Sequence, residues 1–214
     1  MLKQGISLNS KEPQNSRGKL IATYDYKAED GKLLFQSCRF EPKRFTQRQP
    51  DGKGGWQWNL RGVEPVPYRL PELKAAIAAG KQVCIVEGEK DCDNLVKLGF
   101  DATTGPMGAG KWAPSLSPHF TGARVVIIPD NDEAGRKHAK LVGMSLSGFG
   151  AKVEVLELRE LPEKGDISDW IAAGGTAEQL HQQIECCALP WADWLADQPK
   201  HQETEQEIVA RLAA

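Results

Sequence analysis

The sequence predicts an α/β protein in which a small N-terminal antiparallel β-rich subdomain precedes a parallel, doubly wound sheet. Two uninterrupted apolar runs, residues 83–86 and 125–128, are typical of strands that are covered on both faces. Helical patterns that end at glycine alternate with these runs, as they do when right-handed crossovers connect parallel strands. By contrast, residues 20–58 alternate polar and apolar side chains between turn signals, which indicates antiparallel strands.

The β-rich subdomain is predicted over residues 19–70, after a flexible polar arm at residues 1–18. A turn joins its first two strands into a hairpin, and these strands are predicted at residues 21–26 and 32–40. A second turn leads to a segment at residues 56–60, and three prolines mark a connector at residues 63–71. A unit of this size buries few side chains by itself, and we therefore expect it to pack against the rest of the chain.

Alternating strands and helices fill the predicted second domain, residues 71–187. Its strands are predicted at residues 83–86, 101–104, 124–128 and 152–158. Its helices are predicted at residues 72–79, 91–98, 133–147 and 176–187. Asp132 is a favourable N-cap for the third of these helices, and Gly148 follows its end. Residues 188–214 are predicted to be a C-terminal tail or a linker helix.

The composition excludes several classes of protein. The 214 residues are 40% hydrophobic and 26% charged, which is ordinary for a globular protein and argues against wholesale disorder. No apolar run is long enough to span a membrane, and the N-terminus lacks the apolar core of a secretory signal. The five cysteines form no Cys-x-x-Cys pair and lie far from the histidines, so no zinc site is expected. An odd number of cysteines without a secretory signal favours free thiols in the cytoplasm.

Charge is unevenly distributed along the chain. Residues 1–70 carry 13 Lys and Arg against 7 Asp and Glu, whereas residues 71–214 carry 14 against 22. Basic surface attracts polyanions, and clustered carboxylates can hold a metal ion. Both regions could also be ordinary solvated faces, and the charge balance alone leaves that alternative open.

Carboxylates follow three strands of the predicted parallel sheet. Because the carboxyl ends of parallel strands meet at one edge of a sheet, we expect these side chains to gather there. Several anions placed together are costly unless a cation joins them, and Mg²⁺ or Mn²⁺ prefers such oxygen ligands. The candidates are Glu87 and Asp91 after the first strand, Asp130 and Asp132 after the second, and Asp166 and Asp169 after the third.

Two of these segments resemble the signature motifs of the TOPRIM domain, which primases, topoisomerases, recombination-repair proteins and some nucleases share. Residues 86–91 read Val-Glu-Gly-Glu-Lys-Asp, and residues 129–135 read Pro-Asp-Asn-Asp-Glu-Ala-Gly. The resemblance covers residues 82–174 and implies a TOPRIM-type sheet. The glycine-rich loop at residues 105–112 and the Gly-Asp-Ile-Ser-Asp-Trp motif at residues 165–170 are similar to the primase and phage primase-helicase branch.

The resemblance implies a DNA primase, a nucleotidyltransferase that makes short RNA primers on single-stranded DNA from nucleoside triphosphates. It makes Glu87 the catalytic general acid or base, and it makes metal ligands of Asp130, Asp132, Asp91, Asp166 and Asp169. Two metal ions would then activate a 3′-hydroxyl and stabilise an in-line displacement. The lack of an N-terminal zinc ribbon departs from many replicative primases and indicates a phage or mobile-element type, with a helicase domain or protein as a possible partner.

Three cations are candidates for nucleotide or phosphate binding. The loop ending at Lys111 nearly matches a P-loop, but Trp112 stands where a hydroxyl would bind Mg²⁺, so an ATPase loop is not expected. Lys111 could still contact phosphate, and a simple glycine turn is an equal alternative. Lys90 lies between acidic residues and could neutralise them. Arg136 follows the second motif, where it could contact a triphosphate or lie on a solvated helix face.

Basic and aromatic side chains are interleaved in the β-rich subdomain. Cations bind phosphates and aromatic rings stack on bases, so this mixture is typical of a surface for single-stranded nucleic acid. The candidates are Lys43, Arg44, Arg48, Lys53, Arg61 and Trp56. The alternative is that the aromatic residues form the core of the small unit, and we expect Trp56 and Trp58 to be at least partly buried.

Two other functions are compatible with the sequence. The same carboxylates could serve a metal-dependent nuclease, because one site of this kind supports both reactions. The chain could also be a non-catalytic DNA-binding or helicase-docking module. A topoisomerase is disfavoured, because Tyr24, Tyr26 and Tyr68 are the chain's only tyrosines and all precede the TOPRIM segment.

Overall fold

The chain folds into an antiparallel sheet followed by an α/β unit with a second sheet. The structure is a computed structural model, and it describes residues 18–106, 108, 110–159 and 161–198. All but the last residue of the predicted N-terminal arm lies outside the described residues. The polar part of the C-terminal tail, beyond residue 198, also lies outside them.

The antiparallel sheet has four strands in the order β1-β2-β3-β4. They are β1 (Lys19–Lys27), β2 (Leu33–Glu41), β3 (Arg44–Pro50) and β4 (Trp56–Gln57). The pairing of β1 with β2 confirms the predicted hairpin. The sequence does not predict β3, because its only large apolar residue is Phe45, and that side chain is exposed. β3 is held instead by main-chain pairing with β2.

Side chains alternate between the two faces of this sheet. On the face toward the α/β unit, Tyr26 is fully buried, stacks on Phe35 with 4.4 Å between ring centroids, and contacts Tyr68. On the opposite face, Trp58 packs on a buried phenylalanine of β2. Trp56 and Trp58 are both half-buried, which confirms that they are partly core.

The second sheet has five strands in the order β6-β5-β7-β8-β9, and the first four are parallel. They are β5 (Gln82–Ile85), β6 (Ala102–Thr103), β7 (Arg124–Ile127), β8 (Lys152–Val155) and β9 (Leu189–Pro190). The predicted α/β class with a mostly parallel sheet is therefore confirmed. The sequence does not predict β9, which has two residues and pairs antiparallel with β8.

Helices connect and cover the strands of this sheet. They are α1 (Leu70–Ala78), α2 (Glu89–Lys97), α3 (Glu133–Ser147), α4 (Ile167–Ala172), α5 (Ala177–Cys187), α6 (Trp191–Asp197) and a 3-10 helix at Pro114–Phe120. Pro71 belongs to α1 rather than to the predicted connector, because a proline in the first turn sacrifices no helical hydrogen bond. Asp132 caps α3 as predicted.

The first part of the C-terminal tail is built onto the sheet. Trp194 of α6 is 3% exposed, and its Nε1 donates to Glu157 Oε1 at 2.8 Å. At the start of α6, the Trp191 indole lies so close to Gly143 of α3 that a Cβ there would collide with it. Residues 189–197 therefore belong to the folded structure rather than to a free linker.

One hydrophobic core joins the antiparallel sheet to the α/β unit. The Tyr26 hydroxyl donates to Glu89 Oε1 at 3.0 Å inside the protein. A second connection runs from the Gln47 side chain to the Pro106 carbonyl. Both contacts hold the antiparallel sheet against segments that follow the carboxyl ends of β5 and β6. Within the described ranges, no helix has the length and apolar character needed to cross a membrane.

Candidate active site

A cleft of about 470 Å³ opens between the antiparallel sheet and the α/β unit. One wall is acidic and carries Glu87, Asp91, Asp130 and Asp166. The opposite wall comes from β2, β3 and their connection, and carries Arg39, Lys43, Phe45 and Gln47. Lys90 and Lys111 also line the cleft. Carboxylates thus face cations across a space large enough for a nucleotide-sized ligand.

The acidic wall follows from the register of β5 and β7. These strands are parallel neighbours with Ile85 opposite Ile127, so the residues after them leave the sheet at the same edge. Glu87 and Asp130 therefore come together. Gly135 in the first turn of α3 makes this approach possible, because a Cβ there would collide with the Asp130 carbonyl and lie 2.8 Å from Glu87 Oε1.

Burial raises the pKa of Asp130 to about 8, and repulsion from Glu87 and Asp91 adds to the shift. The pKa of Glu87 is also raised, mainly by burial, although the Asp130 backbone partly offsets the shift. Without a cation, this wall favours retention of protons at neutral pH.

Two members of the acidic wall are held by α4. Ser168 Oγ donates to Asp91 Oδ1, and Asn94 Nδ2 donates to Ser168 Oγ at 2.8 Å. Burial still raises the pKa of Asp91, although the Ser168 hydrogen bond acts in the opposite direction. Asp166 is the N-cap of α4, where its Oδ1 accepts from the backbone of Asp169 at 2.7 Å. α4 therefore fixes both side chains against the end of the sheet.

The remaining predicted metal ligands, Asp132 and Asp169, do not line the cleft. Asp132 Oδ1 accepts from the Gly135 backbone at 2.7 Å as the N-cap of α3, and it lines a separate groove with Arg136. Asp169 Oδ2 accepts from the Asp166 backbone at 3.1 Å. Both carboxylates take part in helix capping, which sequence analysis predicted for Asp132 but not for Asp169. Arg136, predicted to contact nucleotide, lies in that second groove instead.

The acidic wall fits a hard divalent cation. Glu87 Oε1 is buried without a hydrogen-bond partner among the described residues, which is costly unless a ligand satisfies it. In the same part of the chain, no three carboxylate, imidazole or thiol groups stand close enough to form a finished metal cage. Mg²⁺ suits this arrangement, because it is usually bound by one or two carboxylates together with substrate phosphates and water.

Arg39 is the residue of the basic wall that sequence analysis missed. It lies opposite Phe45 in the register of β2 and β3, so both side chains point to the same face. Its guanidinium lies 5.8 Å from the Phe45 ring centroid, and its Nε is buried without a partner among the described residues. Phe45 is 45% exposed in the cleft. Only the strand pairing could have revealed this pair, since β3 has no hydrophobic signal.

Of the residues predicted to bind nucleic acid, Lys43 alone lines the cleft. Lys43 is exposed and lines the cleft. Arg48 lies over Trp56, 4.0 Å from the ring centroid, and its Nε donates to Gln36 at 2.8 Å. Arg44 and Arg48 alternate with Phe45 along β3, so they belong to the face opposite the cleft. The last two candidates, Lys53 and Arg61, are exposed and do not line the cleft.

The glycine-rich loop is anchored beside the cleft by His138. The Gly110 backbone donates to His138 Nδ1 at 3.0 Å, and burial lowers the pKa of His138 to about 4, so the ring stays neutral as an acceptor. Trp112 is 6% exposed and its Nε1 donates to Ser117 at 3.0 Å. Trp112, at the position of the P-loop hydroxyl, is therefore packed in the core, whereas Lys111 is exposed and lines the cleft.

The chain has the fold of DnaG-type primase catalytic cores. It matches a DNA primase domain from Pseudomonas aeruginosa at 21% identity and a TM-score of 0.62, covering 81% of this chain and 53% of that one. It matches a DnaG primase catalytic domain bound to single-stranded DNA at 20% identity and a TM-score of 0.63, covering 89% and 59%. The resemblance to TOPRIM primases is thus confirmed at the level of the fold.

A more distant match lies in a bacteriophage T7 complex of lagging-strand DNA polymerase with the primase domains of two gp4 subunits, an RNA/DNA hybrid and dTTP. There the identity is 18% and the TM-score 0.50, over 79% of this chain and 78% of that one. The chain spans about half the length of the cellular primase structures that it matches, from 39% to 62%. No protein-family model matches the sequence, and no curated protein matches it either.

Proposed function

We propose that this chain is a primase-type nucleotidyltransferase that uses a divalent metal ion, Mg²⁺ or Mn²⁺, to make short RNA on single-stranded DNA. The observation that carries the proposal is the cleft, where an acidic wall faces Arg39, Lys43 and Lys111. A nucleoside triphosphate needs both features, because its phosphates bind metal ions on one side and protein cations on the other. The match to a DnaG domain bound to single-stranded DNA supports the choice of template.

In this proposal, the acidic wall binds the metal ion and accepts the proton of the attacking 3′-hydroxyl. One or two of the carboxylates Glu87, Asp91, Asp130 and Asp166 would hold the ion together with substrate phosphates. A bound divalent ion supplies charge stabilisation for an in-line displacement at phosphorus. Glu87 has a raised pKa and a buried Oε1 without a partner among the described residues, so it can accept a proton from an attacking 3′-hydroxyl.

The basic wall binds the nucleotide itself. The unpartnered Nε–H of Arg39 can donate to a phosphate oxygen, and a guanidinium does so with a geometry that lysine cannot reproduce. Lys43 and Lys111 add charge on either side of it. The exposed ring of Phe45 offers a stacking surface for a base of any identity.

We also propose a phage or mobile-element origin for this activity. The support for this origin is that primase domains in a bacteriophage T7 complex share the fold, at 18% identity and a TM-score of 0.50. A helicase domain or protein is the partner that such an origin suggests.

Primer synthesis tests the proposal directly. The full chain is incubated with single-stranded DNA, labelled ribonucleotides and Mg²⁺ or Mn²⁺, beside Glu87→Gln and Asp130→Asn. We expect short labelled products that both variants lose, whereas Asp193→Asn, at an exposed carboxylate on α6, keeps them. Absence of product with an intact template contradicts the proposal, and a cut template identifies a nuclease instead.

Nucleotide binding tests the basic wall separately. Arg39→Gln should weaken binding of a nucleoside triphosphate by roughly 10–100-fold, because hydrogen bonds to charged groups contribute about 1.5–3 kcal/mol. Arg44→Gln is the matched control, since Arg44 lies on the opposite face of the same sheet. Equal losses in calorimetric titrations of the two variants would remove Arg39 from the site.

A further inference from the structure

Two consecutive cysteines end α5 and do not line the cleft. The Sγ atoms of Cys186 and Cys187 adjoin each other at 2.6 Å, farther apart than the roughly 2.05 Å of a disulfide bond. Cys186 is exposed and Cys187 is half-buried. The other three cysteines are buried singly in the core, at Cys38, Cys84 and Cys92. The chain therefore presents one accessible pair of thiols.

The backbone disfavours a direct disulfide between these neighbours. Consecutive Cα atoms are about 3.8 Å apart across a trans peptide, whereas disulfides usually join Cα atoms about 4.4–6.8 Å apart. Cys187 is also the last helical residue, with Ala188 already extended at φ −66° and ψ 130°. A single larger atom bonded to both sulfurs lets them stand farther apart than a disulfide bond does, so it suits neighbouring cysteines better.

The surroundings leave room for a ligand at the pair. Cys186 and Cys187 line an open pocket of about 430 Å³ together with Trp170, Arg159 and Gln183. Its volume is in the range of small-molecule sites. The hydrogen bond with Cys187 raises the pKa of Cys186, and the Arg159 guanidinium opposes this shift. Arg159 thus places a positive charge beside the two thiols.

We propose that Cys186 and Cys187 form a chelating dithiol that binds one soft, thiophilic centre, with trivalent arsenic as the representative ligand. Thiolates select soft ions, and two of them on adjacent residues bind one ion together. With an arsenoxide, two As–S bonds form and the arsenic–oxygen bond breaks. The oxygen leaves as water with both thiol protons, and no electrons are transferred. This site is independent of the function proposed for the cleft.

Phenylarsine oxide is the probe for this site. The reduced full chain is titrated with it and measured by intact mass under native conditions, followed by peptide mapping. We expect one adduct per chain on the peptide that carries both cysteines. The adduct should survive excess 2-mercaptoethanol, a monothiol, and should be removed by 2,3-dimercaptopropanol, a dithiol.

Cys186→Ser and Cys187→Ser are matched controls, because each leaves one accessible thiol at the same place. Each should bind the probe at least about 10²-fold more weakly, since a second attachment on the same molecule multiplies affinity by that order. The proposal is overturned if the wild-type adduct is as sensitive to the monothiol as either variant. It is equally overturned if the probe fails to bind or maps to the three core cysteines.

Discussion

Replacing Asp130 by asparagine should stabilise the metal-free protein at neutral pH. The folded chain holds the pKa of Asp130 at about 8 against an ordinary value of 3.8, so the unfolded state loses this proton first as the pH rises. Each pH unit between these values lowers the free energy of unfolding by about 1.4 kcal/mol. At pH 7 the variant can therefore exceed the wild type in free energy of unfolding by at most about 4 kcal/mol. We expect a difference of about 2–4 kcal/mol, because Asp130 is only half-buried.

Urea unfolding in EDTA, followed at pH 4.5 and pH 7, measures this effect. Asp130→Asn should exceed the wild type in free energy of unfolding at pH 7, and the difference should shrink toward zero at pH 4.5. Mg²⁺ should then raise the stability of the wild type and leave the variant unchanged. Asp193→Asn is the control for removal of a carboxylate outside the cleft. A variant that is less stable than the wild type at pH 7, or a difference independent of pH, would refute the conclusion that burial and neighbouring carboxylates raise the pKa of Asp130.

Three further predictions concern the fold around the cleft. Gly143→Ala should detach α6, because the added Cβ collides with the Trp191 indole, and it should lower the free energy of unfolding by more than about 2 kcal/mol, as overpacking can. Gly148→Ala is the control and should be nearly neutral in thermal unfolding, because its Cβ meets only the Ser145 carbonyl oxygen, at an ordinary contact distance of 3.5 Å. Tyr26→Phe should cost about 1–3 kcal/mol in urea unfolding, because it leaves buried Glu89 without its hydroxyl donor. Burial lowers the pKa of His138 to about 4, so wild-type stability should fall as pH drops from 6.5 toward 4, and His138→Gln should flatten that fall in pH-dependent melting.

The sequence predicted the acidic wall because its signals are local. Glu87 and Asp130 each follow an apolar strand directly, and parallel strands bring such positions to one edge whatever lies around them. The same signals gave α3 with its correct bounds, since a capping aspartate precedes it and a glycine follows it. The motif could not separate Asp130 from Asp132, because whether a carboxylate faces a cleft or caps a helix depends on the direction in which the loop turns.

The basic wall could not be predicted, because it depends on contacts that are distant in the sequence. β3 has no buried residue, and only its pairing with β2 places Phe45 beside Arg39. Interleaved charge suggested Arg48 and Trp56 as partners of nucleic acid. In the structure they are partners of each other, and they cover the far face of the sheet. Composition alone does not show which residues of this subdomain share the face that lines the cleft.

The shared core of the two sheets sets how a ligand reaches the cleft. Because Tyr26 and Phe35 fix one end of the antiparallel sheet inside the protein, one hydrophobic core joins the two walls at that end. We therefore expect the gap between the walls to change little when a substrate binds. Association should then follow a single kinetic phase, limited by diffusion and by attraction of anions to the cationic side, and its rate should fall as salt is added. The width of the cleft and the charge at its entrance should then determine which ligands bind.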